Sequence, residues 1–204
     1  MKILLTAFEP FGGEKVNPAQ EALKDVPDVV AGAGIVKLTV PTVFGKSVET
    51  VYGAMKREKP DAVLCIGQAA GRTGLTVERV AINLEDAAIA DNEGRKPVDS
   101  PVFAEGPAAY FTTLPAKAMV EKIKGAGVPA SVSCTAGTFV CNHLLYGVLH
   151  HIAREFPGMR GGFIHVPYLH EQVLDKPGAP SLSREDIAKG IEAAVEAIAE
   201  SDGI

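Results

Sequence analysis

Tryptophan is missing from this sequence, and cysteine occurs only three times, as Cys65, Cys134 and Cys141. An odd number of cysteines with no short paired spacing argues against a disulfide framework and against a zinc site. What remains is free thiols, the usual state in a reducing compartment, so the expectation is a cytoplasmic protein. Runs of lysine or arginine are also missing, and the net charge is −5, which argues against a nucleic-acid partner. No apolar run approaches the ~20 residues of a membrane span, so no membrane partner is expected. The opening Met1–Glu9 is a short apolar run soon broken by a charge and Pro10; it reads as a first strand and not as a secretory signal. The glycine pairs Gly12-Gly13 and Gly161-Gly162 lack the Gly-Lys-Ser/Thr that would complete a phosphate loop. The five histidines show no convincing metal-ligand spacing, so no metal site is expected.

What the chain does have is a globular composition, 47% hydrophobic and 22% charged, and 204 residues, enough for one domain (1–204) with a sizeable core. Strand-like and helical stretches alternate. Strands are expected at Lys2–Phe8, Ile35–Pro41, Asp61–Ile66, Thr76–Asn83, Ala130–Cys134 and Gly162–Val166. Helices are expected at Pro18–Asp25, Lys46–Lys59, Leu114–Lys124 and Leu144–Phe156, and Ser183 with Asp186 forms a capping box for a last one. The alternation predicts an α/β fold, a three-layer α/β/α sandwich around a largely parallel, twisted sheet. Leu84–Tyr110 and Val173–Ser183 read as long loops, the first with a possible hairpin.

One stretch stands out chemically, Ala136-Gly137-Thr138-Phe139-Val140-Cys141-Asn142-His143. It runs from a small-residue turn into a helix, so Cys141 lies where the helix begins. Free N–H groups and the positive end of the helix dipole bias a thiol there towards thiolate. A cysteine nucleophile needs a base and a group to orient that base. His165 is the candidate base, near the end of a strand that Pro167 terminates, where open α/β sheets gather their sites. A buried core histidine is the alternative. Glu78 is the candidate orienting group: alternation sets it on the apolar side of its strand with Val80 and Ile82. A carboxylate there needs a distant partner such as His165, unless the strand mouth opens to water. Cys65 and Cys134 read as small core residues. His143 could face Cys141 or turn away; His150 and His151 are expected in solvent, and His170 in a loop. Phe8 and Phe11 could line a pocket or cover the core edge.

With these residues assembled, the chain resembles the pyroglutamyl-peptidase I (pyrrolidone-carboxylate peptidase) family over nearly its whole length. The resemblance is carried by Leu5-Thr6-Ala7-Phe8-Glu9-Pro10-Phe11-Gly12-Gly13 with Asn17-Pro18, and by Gly67-Gln68-Ala69-Ala70-Gly71-Arg72. It continues through Glu78-Arg79-Val80-Ala81-Ile82-Asn83, Asp91-Asn92-Glu93-Gly94, the cysteine segment and Phe163-Ile164-His165-Val166-Pro167. It implies a triad of Cys141, His165 and Glu78, no cofactor, a homotetramer, and N-terminally pyroglutamylated peptides as partners. A pyroglutamyl end is a neutral lactam, so its pocket needs apolar walls and a few polar partners, and no carboxylate for an ammonium. By the resemblance, Phe8, Phe11, Ile89, Phe139 and Val140 are walls, and Gln68 and Asn17 are polar or loop-fixing groups. The oxyanion would meet the N–H of Cys141 and one from the Ala88 region. The chain departs from the family where Arg and Pro are usual, having Ala88 and Ala90. That departure keeps open one alternative, a cysteine amidase for another acyl group; a second, a binding paralogue without turnover, is argued against by the intact Cys141, His165 and Glu78.

Overall fold

The structure is a computed structural model and describes residues 1–201. The chain opens with strand β1 Lys2–Phe8, helix α1 Pro18–Leu23, strands β2 Val29–Val30 and β3 Ala33–Val40, and helix α2 Lys46–Glu58. Strands β4 Ala62–Gln68, β5 Leu75–Glu78, β6 Val80–Ile82 and β7 Ala109–Phe111 follow, then helix α3 Ala116–Gly125. Strand β8 Ala130–Ser133, helix α4 Val140–Glu155 and strand β9 Arg160–Val166 come next. Strand β10 Tyr168–Leu169, a 3-10 turn at His170–Val173, strand β11 Ser181–Leu182 and helix α5 Arg184–Glu200 complete it.

Seven strands form the central sheet in the order β2-β3-β1-β4-β9-β5-β8. From β3 to β9 the pairs are parallel, while β5 meets β9 antiparallel and carries β8 parallel to itself. Strand β4 is buried at every position because helices cover both faces of the sheet. On one face α1, α3 and α5 pack over Ile3, Leu5, Leu64 and Ile164. On the other, α2 and α4 pack over Leu4, Val63, Cys65 and Phe163. The three-layer α/β/α architecture expected from the alternation is the one found.

The local signals act as expected at most element ends. Asn17 caps α1, its side chain accepting from Ala19 N–H at 3.0 Å, with Pro18 in the first helical position. Ser183 caps α5 by accepting from Asp186 N–H at 3.0 Å. Asp186 answers through its carboxylate, which accepts from the Ser183 hydroxyl at 2.8 Å, and not through the backbone as in a full capping box.

Thr76–Asn83 is where the sequence reading and the structure differ most. It is two strands in two sheets, broken at Arg79. Arg79 N–H donates to Ser133 O and Arg79 O accepts from Thr112 N–H, so the chain leaves the central sheet there and pairs with β7. Alternation across the break is lost: Glu78 is fully buried, whereas Val80 and Ile82 are half-buried. Helix α4 begins at Val140, four residues before the expected start, because its apolar periodicity becomes clear only from Leu144. In the loop after β6, Glu85 and Ser100 form one isolated antiparallel bridge, not the paired strands of a hairpin.

Helix α4 reaches α2 at Gly147, where a Cβ would lie 2.7 Å from Val48 Cγ1 and 3.2 Å from its Cβ. Val48 is buried and β-branched, so it has no free rotamer to retreat into. Gly147→Ala should therefore lose about 1–2 kcal/mol in urea unfolding, the overpacking cost exceeding the gain in helix propensity. A variant at least as stable as the wild type would contradict this close contact.

Candidate active site

Sites in open α/β sheets gather beyond the carboxyl ends of the strands. Here β1, β4 and β9 end together, and β5 enters beside them in the opposite direction. In register, His165 stands between Gly67 on β4 and Thr76 on β5, while Glu78 stands opposite Phe163. Glu78 and His165 are thus diagonal neighbours on one face of an antiparallel pair, close enough to touch. They do: His165 Nδ1 lies 2.8 Å from Glu78 Oε1, with side-chain exposures of 4% and 0%. With Glu78 ionised, Nδ1 is the donor and Nε2 remains free to accept a proton.

Glu78 has a second partner that the sequence reading did not assign. Arg72 Nη2 lies 3.4 Å from Glu78 Oε1 and donates to Thr135 O at 3.2 Å, while Nη1 reaches Ser133 Oγ at 3.3 Å. Glu78 Oε2 is buried without a hydrogen-bond partner among the described residues. The water-facing alternative for Glu78 is excluded by its burial.

Cys141 is the second residue of α4, and no side chain of the N-cap residue Phe139 caps that helix. The N–H groups of the first turn have no intrahelical acceptor and form the positive end of the dipole. The thiol sits over β4 at Gly67, where a Cβ would lie 3.0 Å from Cys141 Sγ and 2.8 Å from Phe163 Cζ. The register partner of Gly67 on β9 is His165, so the thiol and the imidazole share one place on the sheet. The thiolate bias expected from the helix start does not win in the free site. Burial first, and then the charges of Glu78 and Cys65, push the Cys141 thiol up to about 12.

Cys141 and His165 line a cavity of about 520 Å³. Of the expected pocket residues, Phe11, Gln68, Ile89 and Phe139 line it. The Phe139 ring meets Phe11 in a tilted contact at 5.9 Å and Phe44 edge-on at 5.4 Å between ring centroids, which fixes the apolar wall. Four expected residues lie elsewhere. Phe8 is 2% exposed and packs on Phe163 beneath the site. Val140, the first residue of α4, is fully buried in the core between that helix, α2 and the sheet. Asn17 fixes a loop, its amide donating to Glu9 O at 3.3 Å. Ala88 is exposed on the loop that carries Ile89. Glu14, Arg72 and Tyr168 line the cavity and were not predicted. The available signal was position alone, since each follows the carboxyl end of β1, β4 or β9.

The remaining histidines and cysteines resolve as follows. His143 turns away from Cys141: Nδ1 meets Glu85 Oε1 at 2.5 Å and Nε2 accepts from Gly45 N–H at 2.9 Å. His150 is buried, against the expectation of a solvated residue, because Phe103 stacks on it at 4.3 Å and Tyr110 bonds to it at 3.1 Å. His151 is half-buried, stacked on Tyr52, and His170 is exposed in the 3-10 turn. Cys65 is a buried core thiol, as read, but Cys134 is exposed, since β8 ends one residue before it. Among the described residues no cluster of His, Cys, Asp or Glu could hold a metal ion, and no helix is long and apolar enough to cross a membrane.

Comparison with known proteins gives a single answer. The family model described as pyroglutamyl peptidase matches residues 1–201. A pyrrolidone-carboxylate peptidase of Clostridium botulinum is 55% identical over 202 residues, 99% of this chain and 95% of that protein. Pyrrolidone-carboxylate peptidase 1 of Streptococcus pneumoniae is 57% identical over 198 residues, covering 97% of this chain and 92% of its own. Among solved structures, pyroglutamyl peptidase I of Bacillus amyloliquefaciens superposes with a TM-score of 0.95 at 51% identity, covering 100% of this chain and 99% of that one. A mutant pyrrolidone carboxyl peptidase from Pyrococcus furiosus gives 0.94 at 41% identity, covering 98% and 99%.

A neutral thiol in the free site makes a direct prediction. Alkylation of Cys141 by iodoacetamide, followed by peptide mass spectrometry, should rise about tenfold per pH unit from pH 7 to pH 10. A rate already on its plateau at pH 7 would show a resting thiolate instead.

Proposed function

The chain belongs to the pyroglutamyl peptidase family, and from that membership we propose that it removes N-terminal pyroglutamyl residues by hydrolysing the following peptide bond. Cys141 is the nucleophile, His165 the general base and then the general acid, and Glu78 the group that orients His165. The observation that carries these assignments is the buried Glu78–His165 pair at 2.8 Å beside the cavity that Cys141 also lines.

The cycle starts from a neutral thiol. As Sγ attacks the pyroglutamyl carbonyl, its proton passes to His165 Nε2, and Glu78 stabilises the imidazolium that forms. The negative charge on the carbonyl oxygen develops at the start of α4, where the Cys141 N–H and its neighbours are free to donate; one such donor is worth about 10²–10³ in rate. Ala88 carries no guanidinium, so on this side the stabilisation comes from backbone groups. Collapse of the tetrahedral intermediate breaks the C–N bond, and His165 returns the proton to the leaving amine. Water, deprotonated by His165, then hydrolyses the thioester, releasing pyroglutamate and restoring the thiol. The cycle balances with water alone and uses no cofactor.

The charges around the cavity suit a neutral acyl end. Glu14 is held by Lys176 at 3.2 Å and by Gln172 at 3.0 Å, and Glu78 by His165 and Arg72. Neither Glu14 nor Glu78 is left free to bind an ammonium, while Phe11, Phe139 and Ile89 offer apolar walls to the ring. We further propose one domain over 1–204, a cytoplasmic location and a homotetramer. Support for these comes from the family match over 1–201 and from three free cysteines.

Release of a fluorescent amine from a pyroglutamyl amide under reducing conditions tests the assignments. Cys141→Ser should lose turnover almost completely, and Glu78→Gln should lose about 10²–10⁴ in kcat with little change in KM. Equal turnover by wild type and Cys141→Ser would move the nucleophile elsewhere.

A further inference from the structure

The side-chain amide of Gln68 lines the cavity, and hydrogen bonds that run back to the main chain decide which of its ends faces inwards. Leu169 N–H donates to the Gln172 side chain at 3.0 Å. Only oxygen can accept there, so that end of Gln172 is Oε1 and the other is Nε2. Nε2 shares its two hydrogens among Glu14 Oε2 at 3.0 Å, Gln68 at 3.2 Å and Val16 O at 3.3 Å. A donor in Gln172 requires an acceptor in Gln68, which is therefore Oε1. Gln68 Nε2 is left with no protein acceptor among the described residues, and it is not sealed off from the cavity. Gln172 is 6% exposed and Gln68 8%, so water competes poorly for these bonds. Turning the Gln68 amide over would set two NH2 groups against each other.

We propose that Gln172 is a positioning residue: it fixes the amide of Gln68 so that the cavity presents a donor and selects acyl groups whose ring carries a carbonyl oxygen. The inference rests on the pyroglutamyl reading above and goes one step beyond it. A lactam satisfies the donor through its ring carbonyl. A carbocycle of equal size leaves the Gln68 NH2 buried and unpaired, which is how a polar site rejects a close analogue. Lys176 braces the arrangement by donating to Gln172 O at 2.6 Å while pairing with Glu14, which ties the segment after β9 to the loop after β1.

Gln172→Glu keeps the side-chain shape and the acceptor for Leu169 but removes the NH2. The Gln68 amide then turns its own NH2 towards the new carboxylate and offers oxygen to the cavity. With a fluorogenic pyroglutamyl amide, KM should rise about tenfold or more while kcat stays within about threefold. The inhibition constant of cyclopentanecarboxamide, a ring without the lactam, should not change. The double variant E14Q/Q172E removes the repulsion between two neighbouring carboxylates, should show the same split, and replaces the single variant if that one does not fold. An unchanged KM, or parallel weakening of the lactam substrate and the carbocyclic inhibitor, would overturn the positioning role. Failure of the wild type itself to hydrolyse the pyroglutamyl amide would instead overturn the functional reading on which the inference stands.

Discussion

A carboxylate without solvent access lies on the second strand from one edge of the sheet, and it is tolerable because His165 and Arg72 meet it. That contact constrains the fold around it. Glu78 can reach His165 only if β5 runs antiparallel to β9 in the one register that makes the two residues diagonal neighbours. The central sheet is otherwise parallel from β3 to β9, so the reversal at β5 is the feature that sets a carboxylate beside the end of a parallel strand. Gly67 contributes by having no side chain, which lets Cys141 Sγ settle onto the sheet beside the imidazole.

The same economy governs the cavity. Of the charged groups that line it, Glu14 is engaged by Lys176 and Gln172, and Arg72 by Glu78, which lies behind His165. The thiol is held neutral by burial. A neutral acyl group can therefore enter without stripping water from a free charge, and charge develops only when sulfur attacks. Residues outside the cavity keep the walls in place. Asp91 accepts from the N–H groups of Phe44, Arg95 and Glu93 at 2.9–3.0 Å, which fixes the loop bearing Ile89. Burial would raise the Asp91 carboxyl, but these donors and the Arg95 charge outweigh it and hold it below the usual carboxylate range.

Much of this was legible in the residues, for reasons that differ from one element to another. The run Asp61–Ile66 announced a strand covered on both faces, and the turn before Val140 announced a helix start beneath Cys141. Glu78 was conspicuous because a carboxylate on an apolar alternation needs a partner. Its burial now has one, though the alternation that pointed to it is broken at Arg79. No local pattern could reveal that break, since β5 and β6 look like one strand until their separate partners are known. His150 read as solvated because its burial depends on Phe103, a loop residue 47 positions away in the chain. Phe8 and Phe11 are alike in sequence, yet one ends in the core and the other at the cavity, a difference fixed by where β1 stops. The thiol could be placed at a helix start from sequence, but its protonation depends on burial, which is a property of the assembled layers.

The central claim is that Cys141 carries the acyl group while His165, held by Glu78, moves the proton. Rapid quenching of the enzyme during turnover of a pyroglutamyl amide, with mass spectrometry of the peptides, tests it most directly. The account predicts one pyroglutamyl group on the peptide that bears Cys141, strongly diminished in His165→Ala. A pyroglutamyl group on another residue, or full turnover with no acylated peptide at any time point, would contradict it.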